Sequence, residues 1–147
     1  MSGPSKGFTL IELMIVVVIV GLLSAIAIPF YHGQAMKSQV SRAVSELGAY
    51  RSAFEASVSE GGGVSNERLG YAPSDITNGD SSTAIALLNA DGSGHLQVTL
   101  GGSVNGSLAG VVIRYERSAD GQWSCAIDKA AANQWSDYYA PPGCVVL

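Results

Sequence analysis

The chain has 147 residues and a formal net charge of −4 at pH 7, from 8 Lys and Arg against 12 Asp and Glu. This length suits one small domain plus a long helix, and the acidic balance argues against electrostatic binding to nucleic acid. Aromatic residues make up 7% of the sequence, so few side chains are available for bases to stack on.

An apolar segment of 21 residues runs from Phe8 to Ile28 and contains one ionisable side chain, Glu12. At about 1.5 Å rise per residue, a helix of this length spans roughly the 30 Å core of a bilayer. A carboxylate at the centre of such a helix costs about 2.5–3.5 kcal/mol, and less near its end. Glu12 is therefore a candidate functional residue that needs a partner.

Two ordinary interpretations of this segment stand beside that one. A secretory signal peptide has a basic start, an apolar region of about 7–15 residues and a small-residue cleavage site. Here the start is only mildly basic, the apolar run is longer, and only Ser24–Ala27 resembles a cleavage site. The other interpretation is a plain single-span anchor in which Glu12 is tolerated near the interface.

The helix is predicted to continue past the apolar segment. Pro29 removes an intrahelical hydrogen bond, so we expect a kink or loosening between Gly21 and Pro29. Beyond Pro29, apolar residues recur at spacings of three and four residues or their multiples, which predicts one buried stripe. The stripe consists of Met36, Val40, Val44, Leu47, Phe54 and Val58. We expect an exposed ion pair between Arg51 and Glu55, and the glycines at 61–63 end the helix.

The second half of the chain is predicted to form a small sheet. Residues 61–83 are rich in Gly, Ser, Asn and Asp and are predicted to be a loop, and the apolar run 84–88 is either a strand or a helical turn. Strands are predicted at 95–100 and 110–117, and Asp120-Gly121 indicates a hairpin that returns through 122–127. The predicted fold class is α+β. A long N-terminal helix from about residue 8 to 60, with a membrane half and an amphipathic half, packs on a three- to four-stranded antiparallel sheet.

The two cysteines, Cys125 and Cys144, enclose 18 residues near the C-terminus. The sequence has no CxxC pair and its two His are distant, so no zinc site is predicted. In an exported chain a disulfide is expected, and closing a loop of this size stabilises a fold by about 3 kcal/mol. The alternative is two buried free thiols. Residues 128–147 are predicted to be a loop closed by the disulfide.

The remaining motifs predict no chemistry. The G-x-S-x-G at residues 3–7 follows no strand and cannot be a nucleophile elbow, and no phosphate-binding G-x-x-x-x-G-K-[ST] loop is present. Residues 89–94 resemble the front of a calcium loop, but Leu100 occupies the twelfth position, so a tight turn is predicted. The sequon Asn105-Gly106-Ser107 is also predicted to be a turn. We therefore predict no catalytic residue, metal site, cofactor or small-molecule substrate.

The segment GFTLIELMIVV, from Gly7 to Val17, resembles the class III signal peptide of type IV pilins in the short-leader type IVa form. The similarity extends to about Tyr31. It implies that a prepilin peptidase cuts after Gly7 and N-methylates Phe8. It also implies that Glu12 pairs with the α-amine of a neighbouring subunit during filament assembly.

The resemblance further implies how the chain is organised. A leader (1–7) is removed, a half-helix (8–29) spans the membrane or fills the filament core, and an amphipathic half-helix (30–60) packs on a globular head (61–147). Type IVa pilins typically carry a disulfide near the C-terminus, which corresponds to Cys125 and Cys144 and bounds the loop 125–144. Removal of the leader removes Lys6 and changes the net charge from −4 to −5, which suits a cytoplasmic N-terminus and an external head.

The implied function is that of a major-pilin-like structural subunit, which polymerises through its N-terminal helix into a surface filament for adhesion, twitching motility or DNA uptake. Its implied partners are other copies of itself, the inner membrane before assembly, and the prepilin peptidase and pilus assembly machinery. The implied location is the inner membrane for the unassembled subunit and then the extracellular pilus. An enzymatic role is not expected. The nucleotide hydrolysis that drives assembly needs a phosphate loop, which this sequence lacks, so it must come from other proteins.

Two other functions remain open at this stage. A type II secretion pseudopilin shares the N-terminal motif, although the cysteine pair and the lack of an acidic calcium loop near the C-terminus favour a pilus subunit. A minor pilin that binds DNA or a host surface needs a basic stripe. Beyond the helix only four basic residues are available for one: Arg68, Arg114, Arg117 and Lys129.

Overall fold

The first helix of the computed structural model, α1, runs from Leu10 to Gly48 and contains Pro29. The structure describes residues 1–129 and 132–147. These divide into two compact units, Met1–Gln34 and Ala35–Leu147, and the buried hydrophobic core belongs to the second unit. Two shorter helices follow, α2 (Arg51–Ser59) and α3 (Asn66–Leu69).

One turn at Ala49 and Tyr50 separates α1 from α2. The Tyr50 N–H donates to the Leu47 carbonyl, three residues back rather than four, at 3.2 Å. The Tyr50 ring meets Tyr71 edge-on with 5.6 Å between centroids, and its hydroxyl accepts from the Ala72 N–H at 3.2 Å. The predicted helix over residues 8–60 is therefore right in extent but interrupted, because tertiary contacts of Tyr50 favour a turn.

The glycine run ends α2 as predicted. Gly61 has φ +70°, and its N–H donates to the Val58 carbonyl at 3.0 Å, while the Gly62 N–H donates to the Ser57 carbonyl at 3.2 Å. This pair of bonds is the Schellman motif, which satisfies carbonyls that have no partner within the helix.

Within the described residues, five strands form one sheet in sequence order. They are β1 (Ala86–Leu88), β2 (Gly94–Thr99), β3 (Val112–Arg117), β4 (Trp123–Asp128) and β5 (Cys144–Val146). The first four are antiparallel, and β5 pairs parallel to β4. Single 3₁₀ turns lie at Gly106–Leu108 and Asp137–Tyr139.

The predicted sheet lacked β5, which lies in the segment 128–147 that was predicted to be a loop. Residues 130 and 131 of that segment lie outside the described residues. Three residues are too few to show an alternating pattern, and β5 is placed by the register of Cys144 opposite Cys125. The ambiguous run 84–88 contains strand β1, and the predicted loop 61–83 contains the single turn of α3.

The predicted helical stripe covers one face of the sheet. Val58 is partly buried, and the other five residues of the stripe are buried: Met36, Val40, Val44, Leu47 and Phe54. Because alternate residues of a strand share a face, every second residue of the central strands joins the same core. These residues include Leu96, Val98, Ile113 and Ile127.

Glu55 joins α2 to the sheet rather than to its own helix. Its carboxylate accepts from Arg117 Nε at 2.7 Å and Nη2 at 3.0 Å, and from the Trp123 indole Nε1 at 2.7 Å. The hydrogen bond from Arg117 has the largest effect on the pKa of Glu55 and holds it below its ordinary 4.5. Burial acts in the opposite direction and raises the pKa, and the bond from Trp123 lowers it further. The predicted pair of Glu55 with Arg51 is wrong, because β3 offers a bidentate guanidinium and Arg51 lies over the Tyr115 ring at 4.6 Å.

Candidate functional site

The candidate site is the start of α1, where Glu12 lies in the first helical turn. The Glu12 Oε2 accepts from the Thr9 N–H at 2.8 Å and from the Thr9 hydroxyl at 2.9 Å. In return, the Thr9 Oγ1 accepts from the Glu12 N–H at 3.3 Å. These bonds form a capping box, in which the side chains of the N-cap and of the third helical residue each satisfy the other's backbone N–H.

The sequence prediction missed Thr9, although T-x-x-E before an apolar run is the recognised signature of a capping box. The bonds give the carboxylate of Glu12 a local partner in the isolated chain. They orient it at the helix N-terminus, where the helix dipole favours negative charge.

The surface around Glu12 is apolar and exposed. Phe8, Leu13, Ile15 and Val16 border a shallow cleft of about 530 Å³ that also includes Glu12. From Phe8 to Tyr31 the large apolar side chains are more than half exposed, whereas soluble monomers rarely expose apolar patches larger than about 300–600 Å². Among the described residues, one helical segment is long and apolar enough to cross a membrane, Leu10–Ser59.

The predicted processing residues precede the helix. Gly7 and Phe8 are exposed and lie outside regular secondary structure, so the peptide bond between them is accessible. Gly21 and Pro29 both lie inside α1, which continues through them. The kink predicted at these two residues stays a prediction.

The cysteines form the predicted disulfide. Cys125 on β4 lies opposite Cys144 on β5, and their Cα atoms are 4.5 Å apart. This is the one predicted pair that the structure brings together across the fold. The bond fastens the C-terminal strand β5 to its neighbour β4.

The other motifs form turns. The Asp91 carboxylate accepts from the N–H and the hydroxyl of Ser93 at 2.9 and 2.6 Å, which closes the β1–β2 connection as the predicted tight turn. Asn105 caps the 3₁₀ turn of the sequon by accepting from the Ser107 N–H at 3.0 Å. Among residues 1–129 and 132–147, no group of three or more His, Cys, Asp or Glu is placed to hold a metal ion.

The four basic residues of the head do not form a basic stripe. Each of them contacts a carboxylate: Arg68 with Glu60, Arg114 with Glu116, Arg117 with Glu55, and Lys129 with Asp137. Paired cations contribute little to a positive surface potential, so these residues offer no support for electrostatic DNA binding.

Two family profiles match the chain. The family described as pilin (bacterial filament) matches residues 36–145, and the prokaryotic N-terminal methylation motif matches residues 4–28. The second match includes Gly7, Phe8 and Glu12.

Curated relatives match over nearly the whole length. Fimbrial protein Q of Moraxella bovis is 41% identical over 157 residues, covering 97% of this chain and 98% of the relative. A fimbrial protein of Pseudomonas aeruginosa is 40% identical over 148 residues, covering 95% and 96%. The type IV major alpha-pilin of Moraxella bovis is 38% identical over 156 residues, covering 97% and 98%.

Proposed function

Because this chain belongs to the bacterial pilin family, we propose that it is the structural subunit of a type IV pilus, a filament built from many copies of the chain. The observation that carries this proposal is the run of exposed apolar side chains from Phe8 to Tyr31 beside the exposed carboxylate of Glu12. About twenty apolar residues need a membrane or a protein core around them. A bundle of such helices supplies that core outside the membrane, and contacts that do not close into a ring give an open helical polymer.

The subunit becomes competent for assembly by processing. A prepilin peptidase cuts after Gly7 and methylates the new amine of Phe8. The match to the N-terminal methylation motif supports this step, as does the exposure of both residues before the helix begins. Cleavage leaves a positive α-amine four residues before Glu12.

Glu12 recruits the next copy. Its carboxylate leaves the capping-box bonds of Thr9, or shares them, and pairs with the α-amine of Phe8 from a neighbouring subunit. In the apolar filament core an unpaired charge is expensive, whereas a close ion pair with additional hydrogen bonds offsets its desolvation. The pairing therefore makes a correctly placed neighbour more favourable than a displaced one.

Before assembly the subunit is held in the inner membrane by residues 8–29, and after assembly it is part of the extracellular pilus. Its partners are other copies of itself and the assembly machinery. The chain acts as a building block and needs no cofactor. Adhesion, twitching motility and DNA uptake are activities of the assembled filament.

The test compares filament yield for Glu12→Ala and Glu12→Gln with the control Glu60→Gln. Gln at the third helical position preserves a capping box but removes the charge, so it separates helix capping from ion pairing. We expect both Glu12 variants to be processed, retained in the membrane and absent from sheared surface material, and the control to assemble normally. Wild-type filament yield from Glu12→Gln would refute the ion-pairing role.

The intact mass of sheared filaments tests processing. We expect the mass of residues 8–147 plus one CH2, because the methyl group replaces an amine hydrogen, and minus two hydrogens for the disulfide. This mass reports cleavage, methylation and the disulfide together. A mass that includes residues 1–7, or lacks the methyl group, contradicts the processing step without affecting the filament role. The abundance of this species separates a major from a minor subunit.

A further inference from the structure

A cavity of about 520 Å³ lies between α1 and the segment that follows α3. Its floor is apolar and includes the buried side chains of Leu47, Leu69 and Val98, and the aromatic rings of Tyr50 and Tyr71 form part of its wall. Cavities of about 300–1,000 Å³ with an apolar lining and a few polar groups are typical of small-molecule sites. The family role described above makes no use of this cavity.

Two buried polar atoms in the lining have no hydrogen-bond partner, the Glu46 Oε2 and the Tyr71 hydroxyl oxygen. The other carboxylate oxygen of Glu46 is occupied, since it accepts from Arg42 Nε at 2.7 Å. The Thr77 hydroxyl donates to the Ser74 carbonyl at 3.2 Å, and it lies near the Tyr71 hydroxyl without meeting the geometry of a hydrogen bond to it. Buried polar atoms are nearly always satisfied by protein or bound water, so these two atoms are open to a bound molecule that can hydrogen-bond with them.

The charges around the cavity select the kind of ligand. Arg42 bridges two carboxylates, with Nη2 donating to Asp75 Oδ1 at 2.5 Å. One guanidinium against Glu46 and Asp75 leaves a net charge of −1 among the charged residues of the lining. Burial is the main cause that raises the pKa of Tyr71, Tyr50 and Asp80 add to it, and Thr77 opposes it. The hydroxyl therefore remains neutral and able to accept or donate.

We propose that this cavity is a binding site for a primary ammonium group on a short apolar stem. The ammonium N–H groups donate to the Glu46 Oε2 and the Tyr71 hydroxyl, and its positive charge balances the excess carboxylate. The stem lies on the floor formed by Leu47, Leu69 and Val98. An anion would be repelled by the Glu46 Oε2, and a neutral alcohol would leave the excess negative charge of the lining uncompensated.

The probe for this site is n-butylamine, with 1-butanol as its neutral counterpart. Each is titrated into the ¹⁵N-labelled full chain in detergent micelles, and the amide resonances of Ala72 and Thr77 are followed, with Gly121 as a distant reference. We expect saturable shifts at the cavity with n-butylamine and at least about tenfold weaker binding of 1-butanol, since a hydrogen bond to a charged group contributes about 1.5–3 kcal/mol. Equal binding of amine and alcohol, or a cavity that holds only water and shows no shifts, overturns the proposal.

Two variants assign the contacts. Glu46→Gln is expected to weaken n-butylamine binding at least about tenfold, and Tyr71→Phe about fivefold, consistent with one charged and one neutral hydrogen bond. Glu60→Gln, which removes an exposed carboxylate outside the cavity, is the matched control and is expected to bind as wild type. Unchanged affinity in Glu46→Gln overturns the assignment, provided that its amide spectrum shows the native fold. If that spectrum is lost, the result rests on Tyr71→Phe.

Free amines and lysine side chains of a neighbouring copy carry the same ammonium chemistry. Saturation-transfer NMR of n-butylamine with sheared filaments separates the two sources of the ammonium group. This measurement rests on the filament role proposed above. Binding that persists on filaments assigns the cavity to a free amine, whereas binding to the micellar subunit that is lost on filaments assigns it to a neighbour. The micelle titration does not require filaments, so its failure and a failure to assemble are distinguishable.

Discussion

The attachment of α2 to the sheet through Glu55 gives a sharp test of the packing described above. The change is Glu55→Gln, which keeps the shape of the side chain and removes its charge. Arg117 then loses its bidentate partner while its side chain remains only 10% exposed, and Trp123 loses a charged acceptor.

The expected magnitude lies between two limits. Exposed ion pairs contribute about 0.2–1 kcal/mol, and breaking a buried pair costs about 3–5 kcal/mol. Arg117 resembles the buried case, but Glu55 is 40% exposed, so solvent screening reduces the effect. We expect the free energy of unfolding to fall by about 2 kcal/mol, which is a typical value for hydrogen bonds to charged groups.

The assay is urea unfolding of the fragment 35–147, the compact unit that contains the buried core. With an m value of about 2 kcal/mol per M, the midpoint falls by about 1 M. The control Glu60→Gln removes an ion pair whose side chains are 40% and 66% exposed, and its expected cost is about 0.5 kcal/mol or less. Equal losses in the two variants at pH 7 would refute the reasoning.

The pH dependence gives a second check on the same variant. The pKa of Glu55 in the folded chain is lowered from its ordinary 4.5, mainly by Arg117. Its ionised form therefore stabilises the fold fully above pH 4.5, and the contribution is lost as the pH falls below 4.5 through the folded-state pKa. The difference between wild type and Glu55→Gln is expected to shrink over that range, and a difference that stays constant there contradicts the ion-pair explanation.

Three further predictions concern the head and use the same unfolding assay. Replacing Cys125 and Cys144 together by Ser is expected to cost about 3 kcal/mol, because the disulfide restricts a loop of about 20 residues in the unfolded chain; an unchanged midpoint contradicts this. Gly61→Ala is expected to cost about 1 kcal/mol, since φ is +70° there and a Cβ is strained in that region. The control Gly63→Ala should cost clearly less, because Gly63 has no positive φ and a Cβ at either glycine meets no atom within 4 Å. Asn66→Ala is expected to cost about 2 kcal/mol, because its amide donates to two carbonyls and accepts from one N–H; a loss below that of Gly63→Ala would refute its role.

The elements with strong local patterns were predictable from the sequence. The helical stripe, the glycine cap and the strands β2–β4 follow from side-chain spacing and turn residues, which act within a few positions of one another. The N-terminal motif was also recognisable, since its residues lie within one short segment, and the methylation-motif family matches it over residues 4–28. Thr9 was missed although its capping partner stands three residues away.

The features that escaped prediction depend on distant contacts. Tyr50 interrupts the helix because Tyr71 and Ala72 meet it from another part of the chain. Glu55 chooses Arg117 over the nearer Arg51 because the sheet holds that guanidinium beside it, 62 residues away in sequence. The cavity beside α1 combines that helix with residues around 69–77 and 98, and no spacing rule connects these positions.

The parallel strand β5 determines which edge the sheet offers to other chains at high local concentration. Without it, β4 would be an edge strand, and its unpaired N–H and carbonyl groups could pair with another chain. β5 covers that edge, and the bond between Cys125 and Cys144 keeps it in place. The disulfide thus makes the three-residue β5 the edge of the sheet in place of the six-residue β4, and a very short edge strand offers little for another chain to pair with.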